Sequence, residues 1–160
     1  MYYILSYDYK EIDMTGTNTI TRKHPKGFSQ WKTTLVKANP GARIKIVRAG
    51  TSPDVLVSAS EHFGIPRHLF ARLLGISPAT AERKIKAGSL LGQTETERLE
   101  RFALIENEAD KVFGAPDKAL DWLTRENTAL GATPLSMLDT ETGAGEVRKV
   151  LSAIAYGGAV

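Results

Sequence analysis

The sequence predicts an all-α protein, a basic helix-turn-helix unit followed by a small acidic helical domain, and three observations carry that prediction. Apolar residues recur at intervals of three and four from Val55 to Ile154, the period of a buried helical face. Proline follows serine at Pro53 and Pro78, and glycine closes runs at Gly64, Gly75, Gly88 and Gly114, the punctuation of helix starts and stops. Charge inverts along the chain. Residues 1–89 hold 14 Lys or Arg against 6 Asp or Glu, net +8, and residues 90–160 hold 7 against 12, net −5.

The 160 residues have room for one domain or two small ones. With 42% hydrophobic and 24% charged residues, the composition excludes collagen-like and wholly disordered chains. Without cysteine there is no disulfide, thiol nucleophile or cysteine-held metal, which fits a reducing cytoplasm. No apolar run approaches the roughly 20 residues of a membrane span, and the start MYYILSYDYKEID lacks the basic segment of a signal peptide. A cytoplasmic location is expected.

Residues 1–46 read as an N-terminal extension of turns and loops, punctuated by Pro25, Gly27, Pro40 and Gly41. Met14, followed by a Thr-rich stretch, is a candidate second start of translation. Arg43 to Arg48, RIKIVR, alternates charged and apolar residues as a short strand would. Residues 47–88 then turn helical. Ser52 caps a helix presenting Val55, Leu56, Ala59 and Phe63, a second runs from near Pro66 to Gly75, and a third from Ser77 to Gly88. Residues 89–160 supply the remaining helices and a C-terminal tail. Thr94 to Phe113 opens on the capping box Thr94-Glu95-Thr96-Glu97, Pro116 starts the next helix, a single turn spans Pro134 to Leu138, and a last helix runs from about Gly143 to Tyr156.

The strongest local signal is PRHLFARLLGISPATAERKIKAG, residues 66–88. A helix-turn-helix needs small residues where its two helices cross and a glycine in the turn, and Ala71, Gly75 and Ala81 meet those needs. Packing through Ile76, Ala81 and Ile85 leaves Thr80, Arg83, Lys84 and Lys86 toward solvent, where they can meet DNA, with Ser77 and the first amides of its helix placed for a phosphate. Pro78 and Ala79 occupy the leading positions and cannot hydrogen-bond to bases, so phosphate contacts should dominate. Ordinary two-helix corners share this pattern.

Catalysis has little support. Glu61-His62 lacks the second histidine of a helical zinc motif, Asp110 and Asp117 fit helix-end dipole partners better than an acid pair, and no glycine loop is built to cradle a phosphate. Neither a cofactor nor a metal is expected. In the second half Trp122, Leu130, Pro134 and Leu135 exceed what a small helical unit hides, so some should face a partner.

Thr80-Ala81-Glu82-Arg83-Lys84, Thr94-Glu95-Thr96-Glu97-Arg98-Leu99, Ala119-Leu120-Asp121-Trp122-Leu123 and Thr133-Pro134-Leu135, in this order and spacing, carry a resemblance covering roughly 70 per cent of the chain, from about Val47 onward. The sequence resembles antitoxins of the Xre/MbcA/ParS toxin-binding family, partners of RES-domain toxins. The resemblance implies a homodimer that binds operator DNA through its Xre-like first domain, represses its own operon, and binds its toxin through the second. It also implies that the chain's end occludes the active site of an NAD-consuming toxin, which makes Tyr156, Gly157, Gly158, Ala159 and Val160 the candidate plug. The alternative is a stand-alone helix-turn-helix regulator whose second domain only dimerises.

Overall fold

A computed structural model describes residues 8–12, 18–22 and 27–157. Two short strands, β1 (Asp8–Ile12) and β2 (Asn18–Arg22), pair antiparallel with Lys10 opposite Ile20, and they are the exception to the mostly helical structure of the described residues. Eight α-helices follow: α1 (Phe28–Lys37), α2 (Pro40–Ala49), α3 (Pro53–His62), α4 (Arg67–Leu73), α5 (Pro78–Ala87), α6 (Gln93–Phe113), α7 (Pro116–Thr124) and α8 (Glu141–Ala155). A 3-10 turn at Pro134–Asp139 precedes α8. Met14 lies outside the described residues.

Two expectations for the first fifty residues give way. RIKIVR lies in α2 and is not a strand, because Asn39 accepts a hydrogen bond from the Ala42 amide at 2.8 Å and Pro40 stands at the first helical position. Cap chemistry outweighs the alternation, which was incidental: Val47 is buried, Ile46 only half-buried and Ile44 is exposed. The segment before it, expected to be loops, forms α1, whose Phe28, Trp31 and Leu35 lie on one face at helical spacing and are fully buried. Each such side chain contributes roughly 1.5–3 kcal/mol by leaving water.

The core is one continuous cluster that runs from Phe28 in α1 to Leu151 in α8. Phe63 sits at its aromatic centre, with ring centroids 5.2 Å from Phe28, 6.1 Å from Phe70 and 6.0 Å from Phe102. Helix α6 is the common wall: it packs on α1 and α2 on one side and on α7, α8 and the 3-10 turn on the other. Its start corrects the expected capping box. Gly92 is the cap residue, Thr94 is already inside the helix and exposed, and no side chain caps the end. Thr96, read as part of that box, is instead fully buried. Helix α8 does receive a cap, from Thr140 to the Gly143 amide at 3.0 Å, two residues earlier than the spacing suggested.

Candidate functional site

The helix-turn-helix is built from α4, a three-residue turn and α5. Helix α4 ends as the Gly75 amide donates to Arg72 and the Ile76 amide to Ala71, a paired closure that requires the left-handed conformation Gly75 adopts, φ +80°. The guanidinium of Arg98 from α6 lies over Gly75, at the far end of a side chain able to shift, so it is the backbone conformation that calls for glycine. Ala71 and Ala81 are buried where α4 and α5 cross, as the spacing requires. Ser77 caps α5 by accepting from the Thr80 amide at 3.1 Å, and its own hydroxyl donates to Thr80 Oγ1 at 2.9 Å.

The expected DNA-facing residues divide into three groups. Arg83 and Lys86 are exposed and hold no carboxylate among the described residues, so their charges are open to solvent. Ser77 and Thr80 are engaged with each other at the helix start, and Ser77 takes up the Thr80 amide with its hydroxyl and the Ala81 amide with its carbonyl. Lys84 is half-buried and donates to the Leu90 carbonyl at 2.9 Å, so its ammonium closes the loop after α5. Glu82, the one acid on α5, is turned to Arg67 at 3.3 Å. Sequence reading had not singled out Arg72, exposed on α4.

On the other side of α6 the expected partner residues also separate. Pro134 and Leu135 are buried, Leu135 at 2% exposure, and belong to the core. Trp122 is half-buried with its ring 5.6 Å from that of Phe113, and Leu130 is half-buried beside an Asn127 turn. Tyr156 is 91% exposed, directly after α8, and Gly157 follows it at φ +69°. Gly158, Ala159 and Val160 lie outside the described residues.

The residues weighed for catalysis are structural. Glu106 of α6 is 3% exposed and accepts hydrogen bonds from Lys32 Nζ of α1 at 2.8 Å and from His62 of α3. Burial alone would raise its carboxyl, but the hydrogen bonds from His62 and Lys32 and the Lys32 charge overcome it and hold Glu106 below the usual carboxylate range. Asp110 meets Lys32 at 2.7 Å rather than Asp117, which is exposed in the first turn of α7. Among the described residues no group of His, Asp and Glu is arranged to hold a metal, and no helix is long and apolar enough to cross a membrane.

Residues 42–104 match the family model of the antitoxin Xre-like helix-turn-helix domain, and residues 108–157 that of the antitoxin Xre/MbcA/ParS C-terminal toxin-binding domain. The chain belongs to the Xre/MbcA/ParS family of antitoxins. Antitoxin Xre of Photorhabdus laumondii is 28% identical over 130 residues, 79% of this chain and 88% of that one, and Antitoxin Xre of Yersinia enterocolitica is 29% identical over the same shares. Antitoxin Xre of Pseudomonas putida is 37% identical over 79 residues, about half of each chain. As an antitoxin of a toxin-antitoxin system the chain is not an enzyme. Its partners are a toxin, through the second domain, and DNA, through the first. The junction of the two matched segments falls inside α6, which is unbroken there.

Proposed function

We propose that this antitoxin neutralises a RES-type, NAD-consuming toxin by placing its C-terminal end in the toxin's active-site cleft, and that as a cytoplasmic homodimer it represses its own operon through α4 and α5. Tyr156 carries the neutralisation reading. Val147, Val150 and Leu151 of α8 are buried in the core while Tyr156 is 91% exposed, so its side chain takes no part in that core. An aromatic with a polar tip is the residue type enriched where proteins meet. Gly157, Gly158, Ala159 and Val160 are narrow enough to follow it into a cleft. Trp122 and Leu130 extend the contact, and Pro134 and Leu135 shape it from within. On DNA, Arg83 and Lys86 contact phosphates or a guanine edge, Ser77, Thr80 and the Ala79 amide hold a phosphate, and Lys84 supports the loop behind them.

The test is coexpression with a RES-domain toxin. The intact chain restores growth and cellular NAD; the chain lacking residues 156–160 restores neither, yet still binds operator DNA in a gel shift. Full neutralisation by the truncated chain removes the plug. For autorepression, an operator-driven reporter should be silenced by the intact chain and released when Arg83 and Lys86 are both alanine; continued silencing by that variant refutes it.

A further inference from the structure

One face of the molecule has the make-up of an interface. Helices α2 and α6 border an open cleft of about 400 Å³. Arg43, Ile44 and Arg48 line it from α2, one helical stripe at spacings of one, four and five, and Glu97 and Glu100 line it from α6. Ile44 is 50% exposed, and Leu90, in the loop leading to α6, is 39% exposed. The Arg43 Nε is buried with no hydrogen-bond partner. None of these four charged groups is in an ion pair among the described residues.

We propose that a second copy of this chain docks on this face, with Ile44 of each copy at the centre and Arg48 of each paired with Glu97 of the other. The proposal rests on the homodimer reading above and names its surface. A two-fold interface uses the same patch twice, so the patch must complement itself. This one does: cations stand on one wall, carboxylates on the other, and an exposed isoleucine between them, and a two-fold rotation sets each copy's α2 wall against its partner's α6 wall. DNA fits the same face poorly, because Glu97 and Glu100 repel phosphate. Burial already raises the Glu100 carboxyl against the opposing pull of Arg43, a side chain that gains from another cation close by. The cleft also lies near the reading helix. Helix α5 ends at Ala87, and Gln93, which lines the cleft, follows six residues later, at most about 22 Å away.

Charge exchange tests it. Wild-type chain should sediment as a dimer at micromolar concentration, and Arg48→Glu or Glu97→Arg should each raise the dimer dissociation constant by at least about 100-fold, since like charges then face one another twice. Mixed in equal amounts, the two variants should form a heterodimer, because both crossed contacts become attractive; circular dichroism confirms that each variant is folded. Singles that stay dimeric, or a mixture that stays monomeric, overturn the surface while leaving the homodimer reading to be judged on the wild type. A wild type that is monomeric throughout removes both, and the neutralisation and gel-shift assays then stand alone.

Discussion

In α6 to α8, Arg101, Arg125, Arg148 and Lys149 each hold a carboxylate within 3.4 Å, whereas in α2 to α5 Arg43, Lys45, Arg48, Arg72, Arg83 and Lys86 hold none among the described residues. The cause is supply. Between residues 27 and 89 the acids are Asp54, Glu61 and Glu82 alone, and of these Glu82 is held by Arg67. Three of the four arginines of the acidic half, Arg101, Arg125 and Arg148, find an acid on the same or a neighbouring element and fold onto it, while Arg98 holds none among the described residues. Arg48, Arg72 and Arg83 of the basic half remain exposed to solvent with no carboxylate among the described residues. What separates the halves is therefore less the number of cations than how many the fold itself engages.

Lys32 is the informative exception, a basic-half cation fully engaged by acids of α6, and the largest predicted effects surround it. Trp31→Ala removes the buried ring that seats α1 and should cost about 3–5 kcal/mol, read from the urea midpoint. Glu106→Gln leaves Lys32 and His62 without their shared carboxylate. With Lys32 18% and Asp110 23% exposed, solvent softens the loss to about 2 kcal/mol. Because Glu106 is held below its unfolded value, the folded state binds fewer protons. Its stabilisation is complete above the ordinary carboxylate range and is lost as pH falls through the folded value, so stability of the wild type should decline in acid more steeply than that of the glutamine variant.

Arg83→Ala with Lys86→Ala should weaken DNA binding about tenfold or more, and lower the slope of log affinity against log salt by about 2, with the urea midpoint unchanged. A changed midpoint would mean that these cations are engaged after all. Arg148→Ala should do the reverse, losing about 0.5 kcal/mol of stability and no DNA affinity, since its partners Glu108 and Glu141 are themselves well exposed. Arg125→Ala, whose i,i+4 partner Asp121 is half-exposed, should fall within a few tenths of a kcal/mol.

The helix-turn-helix could be read from the sequence because its determinants are local: Ala71, Gly75, Ser77 and Ala81 act within about ten residues of one another, and the structure uses each as expected. Helix α1 was equally visible in principle through Phe28, Trp31 and Leu35, but Pro25, Gly27, Pro40 and Gly41 drew attention to turns. Pro40 proved to be a helix start. What the sequence could not reveal is pairing at long range. Nothing in a linear reading joins Lys32 to Glu106, seventy-four residues away, or lays Arg98 over Gly75. The candidate site divided accordingly: Arg83 and Lys86 were identifiable from helical phase, while the bond from Lys84 to Leu90 and the burial of Leu135 depend on the assembled core.

Helix α6 passes without interruption from the segment matched to DNA binding into the segment matched to toxin binding. Its 21 residues span about 31 Å, and a helix packed along both flanks has no hinge. It works as a ruler. If α4 and α5 sit on the operator and the toxin on the second domain, as proposed, the toxin is carried at a fixed height above the DNA.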